Sequence, residues 1–279
     1  MTTLPITQMF SPFPDFSDNL SIHSVFASGF NLVDCHGTII WVSSNNDAGY
    51  PASLDVSLEP EYGRTLPFHS RIKPGDTVEV EVGETTTLRF DTSAALTIDD
   101  STQKESTLLP TNLVVSNPTY ATTIADALTR SVRQRPDAYP RVTATIATHA
   151  RQALHAALQD NLSECSLALR HIIGLGFGLT PSGDDTVIGA LAYTRLFASN
   201  AYRCLAFAVN QLADRTTSIS ASYLTLSSQG YFSHHVSHTL RGFCGDPSPS
   251  ALTGLLAMGH SSGEDTARGI LLAHQTTHP

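Results

Sequence analysis

The chain has 279 residues, a formal net charge of −9, and 41% apolar against only 15% charged residues. That composition fills a core and excludes a wholly disordered chain. The acidic balance excludes nucleic acid and anionic membrane as main partners, because Arg133, Arg135 and Arg141 are too sparse for a phosphate-backbone footprint. A local arginine pocket for a small anion stays open. No run approaches the roughly 18 uninterrupted apolar residues of a membrane span. The start, MTTLPITQMFSPFPDF, lacks the basic and apolar regions of a signal peptide. Cys35, Cys165, Cys204 and Cys244 form no CxxC, so reduced thiols in a cytoplasmic protein are expected, and neither a zinc site nor a catalytic thiol is built from them.

In chain order, the first part reads as β. Residues 25–33 and 38–42 are runs rich in β-branched and aromatic residues, with Cys35-His36-Gly37 as the turn between them. Residues 77–82, TVEVEV, alternate polar and apolar with the period of a half-buried strand. Pro74-Gly75-Asp76 is a turn before it, Gly83-Glu84 breaks it, and residues 86–90 resume. Residues 108–115 give a last strand, ended by Asn117-Pro118. Trp41 is read as core, Asp99, Asp100, Glu59 and Glu61 as solvated loop acids, and Pro12 and Pro14 as part of a loosely packed tail.

From about residue 120 the period becomes helical. Val142, Ile146, His149, Ala150, Ala153, Leu154, Ala157 and Leu158 follow a 3.6-residue stripe, as do Leu205, Ala208, Val209 and Leu212, and Phe232, Val236 and Leu240. The expected fold class is α+β: a β-rich N-terminal domain over residues 1–117, then a mainly helical C-terminal domain over residues 118–279.

Two segments of the helical half share the pattern S-G-[DE]-D-T-x-x-G. One is Ser182-Gly183-Asp184-Asp185-Thr186 with Gly189; the other is Ser262-Gly263-Glu264-Asp265-Thr266 with Gly269. The plain reading is helix capping, in which a serine accepts a backbone N–H and first-turn acids complement the helix dipole. Gly189 and Gly269 would then allow close helix approach. The first copy holds more than a cap needs, because Gly174-Leu175-Gly176-Phe177-Gly178-Leu179-Thr180 leads into it. Three alternating glycines make sense where the backbone adopts positive φ or approaches something closely. Such a loop before a helix presents N–H groups to an anion. The neighbouring acids would repel a bare anion, and Asp184 with Asp185 could hold a largely hydrated Mg²⁺.

These residues carry a family likeness. The run GLGFGLTPSGDDTVIGAL from Gly174 and the run GHSSGEDTARGILL from Gly259 resemble the bacterial AllH-type subunit of oxamate carbamoyltransferase. Residues 215–221 and 229–233 extend the resemblance, and residues 25–33 more weakly. Phe177 stands where the family pattern has proline, and Glu264 where it carries an aromatic residue. The resemblance implies a subunit acting with companion subunits on a small anionic substrate in purine breakdown: oxalurate and phosphate to oxamate and carbamoyl phosphate. Such a transfer needs phosphate held in line with a carbonyl and a stabilised oxyanion. Gly176, Gly178 and Gly183 are the expected backbone donors, Thr180 and Ser182 hydroxyl donors, Arg215 the cation for the substrate carboxylate, and Ser262 and Gly263 the second turn's share. Asp184, Asp185, Asp265 and His260 are the candidate catalytic residues.

Two rival functions remain. Asp-Asp-Thr at a helix start, repeated late in the chain, also resembles the Mg²⁺-binding carboxylates of ADP-ribosylglycohydrolases. A non-catalytic binding or assembly subunit would use both turns purely as caps. No GxSxG elbow is present. His234 and His238 share a helix face but lack the HExxH pattern, so a polar face is the reading for them.

Overall fold

The computed structural model describes residues 2–44, 49–58, 66–90, 93–111, 118–134, 139–246 and 249–278. The chain divides into two compact units, Met1–Thr107 and Leu108–Pro279.

The first unit is a β-sheet that closes on itself. Its strands are β1 (Thr2–Phe10), β2 (Leu20–Phe26), β3 (Gly29–Val33), β4 (Ile39–Ser43), β5 (Ser53–Val56), β6 (Thr77–Glu81), β7 (Thr86–Phe90), β8 (Ala94–Ile98) and β9 (Gln103–Glu105). The order is β5-β4-β3-β2-β6-β7-β8-β1-β9, with β5 also paired to β1. β1 closes the ring: Thr2–Pro5 run parallel to β8, and Ile6–Phe10 pair antiparallel with β5. β9 runs parallel to Gln8–Phe10. Closure into an eight-stranded barrel-like sheet leaves few unpaired edges. Its interior is filled by Ile6, Leu20, Ile22, Leu32, Leu54, Leu88 and Leu96, all buried. Phe30, Phe68 and Phe90 meet among them, with ring centroids 5.7 Å apart for Phe30–Phe90 and 4.9 Å for Phe68–Phe90.

Several expectations match in detail. Val78 is buried between exposed Thr77 and Glu79 in β6, as the alternation requires. Gly75 at φ +93° and Gly37 at φ +82° sit in the expected turns. Other expectations are corrected. Residues 25–33 are not one strand, because a turn at Ala27-Ser28 folds them into the hairpin of β2 and β3. Pro12 and Pro14, read as part of a loosely packed tail, come just after the closing strand β1, which has no counterpart in the sequence reading. In the expected strand at 108–115, Leu108 makes a single bridge to Tyr231, while 112–117 lie outside the described residues, as do Glu59 and Glu61.

The second unit is helical: α1 (Pro118–Gln134), α2 (Pro140–Leu158), α3 (Leu162–Leu169), α4 (Ser182–Phe197), α5 (Ser199–Asn210), α6 (Ser218–Gln229), α7 (His234–Phe243), α8 (Pro249–Ala257) and α9 (Ser262–Thr277). The predicted stripe of α2 buries Ile146, Ala150, Ala153, Leu154 and Ala157, but Leu158 at its end is exposed. Most of α4 and α9 is buried, and the two helices pack closely on each other. A Cβ added to Gly189 would stand 2.0 Å from Thr266 O, and one added to Gly269 would stand 2.0 Å from Thr186 O. Each glycine therefore admits the other helix's backbone. Among the described residues, no helix is long and apolar enough to cross a membrane.

Candidate functional site

The two S-G-[DE]-D-T turns open α4 and α9, and the packing of those helices brings them face to face. Their local geometry repeats. Gly183 N–H donates to Leu175 O at 2.8 Å, and Gly263 N–H to Met258 O at 3.0 Å. A Cβ on Gly183 would lie 1.9 Å from Ile172 O, and one on Gly263 1.8 Å from Leu255 O. The Thr186 hydroxyl donates to Ser182 O at 2.7 Å, and the Thr266 hydroxyl to Ser262 O at 2.8 Å. The echo in sequence is thus an approximate two-fold in structure.

The capping reading of the serines is overturned. The N-cap of α4 is Pro181 and that of α9 is Ser261, and neither makes a side-chain cap bond. Ser182 and Ser262 instead reach across the pair. The Ser262 hydroxyl faces Asp185 and favours its charged form, and the Ser182 hydroxyl does the same for Asp265. Thr180, at the end of the glycine loop, joins the same network, its hydroxyl lying 2.8 Å from that of Ser262.

Asp184 and Asp185 are sequence neighbours with opposite situations. Successive helix residues point about 100° apart. Asp184 faces the loop and α6: Gly174 N–H donates to its Oδ1 at 2.7 Å, the Ser220 hydroxyl to its Oδ2 at 2.6 Å, and the Thr216 hydroxyl also to Oδ2. It is fully buried, and the burial that raises its pKa is opposed by those donors. Asp185 faces Asp265. Both are buried, and the Oδ2 of each has no hydrogen-bond partner among the described residues. Burial pushes Asp185 well above the usual carboxylate range; the Ser262 hydroxyl opposes it, and the charges of Asp265 and Asp184 push further. Asp265 is also raised by burial, but Ser182 and the Arg268 guanidinium pull it back.

This changes the expected metal set. Both oxygens of Asp184 are engaged by protein donors, so the adjacent pair Asp184–Asp185 is not a free ligand set for Mg²⁺. Among the described residues, no group of three or more His, Cys, Asp or Glu is placed to hold a metal ion. The unpartnered oxygens belong to Asp185 and Asp265.

The cation at the site is Arg268. Its Nη1 donates to Asp265 Oδ1 at 2.7 Å and its Nη2 to Glu264 Oε1, so it holds both first-turn acids of α9. Sequence reasoning missed it, though Asp265 and Glu264 precede it at the i,i+3 and i,i+4 spacings of helical ion pairs. Arg215 is not brought into this network. Its side chain is exposed, and its backbone carbonyl abuts Gly174, whose Cβ would come within 2.6 Å of it. His260 is exposed beside the second turn.

The glycine loop behaves as its pattern suggests. Gly174, Gly176 and Gly178 have φ of +80°, +134° and +86°, a region open to glycine but strained for other residues. A Cβ on Gly176 would meet Ser182 N at 2.5 Å, whereas Gly178 faces open space. The Gly183 N–H, expected to serve an oxyanion, is committed to Leu175 O, and no partner among the described residues takes the N–H of Gly176 or Gly178. Against Asp265 lies a cavity of about 210 Å³, with Thr143, Thr186, Asp265, Arg268 and Gln275 among its polar lining and Val132, Ile146 and Leu271 among its apolar walls. A pocket with few polar groups and a perturbed carboxylate is the usual setting of a small-molecule site.

Comparison with protein families gives two matches. Residues 172–274, spanning the glycine loop and both turns, match the family described as oxamate carbamoyltransferase subunit AllH. Residues 12–106 match the AllH family N-terminal domain. No solved structure matches the chain.

Proposed function

The chain belongs to the AllH family of oxamate carbamoyltransferase subunits, and from that premise we propose that its paired turns serve carbamoyl transfer between a small carboxylate-bearing ureide and phosphate. The reaction is oxalurate and phosphate to oxamate and carbamoyl phosphate, run with companion subunits. The observation that carries this reading is the buried Asp185–Asp265 pair, each member with one oxygen that has no partner among the described residues. Two carboxylates held together out of water share a proton, because both cannot ionise cheaply.

That shared proton suits the chemistry. As a phosphate oxygen bonds to the ureide carbonyl and the C–N bond breaks, the departing nitrogen needs a proton to leave as the neutral amide of oxamate. A carboxylic acid at the pair supplies it, and the proton of the attacking hydrogen phosphate replaces it. Spare N–H groups of Arg268 and the N–H groups of Gly176 and Gly178 are the donors for substrate oxygens.

The test uses the enzyme assembled with its companion subunits. Asp185→Asn keeps the shape of the acid but cannot give up a proton in this way, and we expect oxalurate phosphorolysis to fall by at least about 10²-fold in a chain that folds as the parent does. Parent-level turnover by this variant would leave the assembly-subunit reading in its place.

A further inference from the structure

The two turns are alike in backbone but unlike in charge, and the difference falls on the carboxylate pair. Asp265 has a guanidinium at 2.7 Å, held in place by its second contact to Glu264. Among the described residues, no cation stands beside Asp185, the matching residue of α4. Its neighbours are the hydroxyls of Ser262 and Thr180 and the acids Asp265 and Asp184. Around Asp265 stand Arg268, Asp185 and the hydroxyls of Ser182 and Ser261, with Glu264 on the far side of Arg268. The α4 position matching Arg268 is Ile188, so among the described residues the cation stands on the α9 side.

We propose that Arg268 is the positioning residue that breaks the symmetry of the pair, fixing Asp265 as the ionised member and Asp185 as the one that carries the proton. A buried carboxylate keeps its charge where a fixed cation hydrogen-bonds it, and the acid facing it, with only hydroxyls and other acids around it, takes the proton. Asp184 does not compete for that proton, because an N–H and two hydroxyls already donate to its two oxygens. The assignment rests on the reading that this pair is the working pair. It adds direction: Asp185 is the acid toward the departing nitrogen, and Asp265 with Arg268 faces the cavity.

The experiment is infrared spectroscopy of the purified chain without ligand at neutral pH, reading the carbonyl stretch of a protonated carboxyl group. The parent shows this band. Asp185→Asn, a near-isosteric change that removes a buried charge site, loses it. In Arg268→Gln a second acid band appears, as Asp265 also takes up a proton, and Arg268→Lys returns the spectrum toward the parent's single band. A band that survives Asp185→Asn overturns the assignment, as does its absence from the parent. So does its disappearance from the parent on addition of Mg²⁺ alone, because the pair would then be holding a cation and not a proton. The measurement needs neither substrate nor companion subunits. An Asp185 band in a chain that supports no carbamoyl transfer would sink the proposed reaction and leave the proton assignment standing; turnover without the band would do the reverse.

Discussion

Replacing Gly189 or Gly269 by alanine is expected to destabilise the helical unit by about 3 kcal/mol, the upper part of the usual overpacking range. The sign is informative, because in an isolated helix the same change would be favourable by up to about 1 kcal/mol. Here the new methyl would stand 2.0 Å from a backbone carbonyl of the facing helix, Thr266 O or Thr186 O. A flexible side chain could swing away from it, but a carbonyl in the middle of a helix cannot. Relief requires α4 and α9 to move apart, which opens the core around Ala190, Leu191, Ala267 and Ile270, all buried. The two variants should lose similar amounts, because the contacts are reciprocal. Urea unfolding of each variant checks this, with the midpoint shifted down and the slope unchanged. Stability equal to or above the parent's in either variant would mean that the helices are not seated this closely. The same separation would pull Ser262 from Asp185 and Ser182 from Asp265, so reduced turnover in the assembled enzyme should accompany the loss.

The parts of this architecture that were legible in the sequence are those with a local period. TVEVE alternates and is β6, and the α2 stripe at Ile146, Ala150, Ala153 and Leu154 faces the core. Closure of the sheet had no such signal. β1 carries Pro5, pairs in parallel with β8 and antiparallel with β5, and its partners lie far along the chain. Nothing within ten residues distinguishes that strand from a tail. Residues 25–33 misled for a related reason: β-branched and aromatic residues continue through both arms of a tight hairpin, and Ala27-Ser28 is a weak turn signal.

At the site, the repeat itself was visible, and so was the demand of the glycine loop for positive φ. What the serines bond was not, because their partners come from the other copy. Capping is the local solution for a serine before acidic residues, and here a tertiary partner displaced it. The division between Asp184 and Asp185 was within reach, since neighbours on a helix cannot face the same way. Arg268 was within reach too, at i,i+4 from Glu264, but an arginine inside an Ala- and Leu-rich helix reads as an ordinary exposed ion pair until the burial of both acids is known.

That division yields a second large and signed expectation. Asp184→Ala should cost about 3 kcal/mol, since it leaves several buried neutral donors unsatisfied at about 1–3 kcal/mol each before relaxation. It strands Gly174 N–H and the Ser220 and Thr216 hydroxyls together, and each unmade buried bond carries its own desolvation penalty. Asp185→Asn should go the other way and stabilise the chain, because it removes a carboxylate that burial and the charges of Asp265 and Asp184 penalise. The pH dependence fixes the sign. The folded state raises the pKa of Asp185 above its unfolded value, so the folded chain binds the proton more tightly. Its contribution is therefore fully present below the ordinary aspartate pKa of about 3.9, and it is lost as pH rises toward and through the raised folded value. Asp185→Asn has no such loss. The stability gap between variant and parent should accordingly be small in acid and widen as pH increases, in thermal melts across the pH range. A gap that narrows with rising pH, or an Asp184→Ala variant as stable as the parent, would contradict the roles assigned to these two residues. If both hold, one aspartate of the first turn maintains the fold and the next one costs it stability. That is the pattern expected where an acid is kept for chemistry and not for folding.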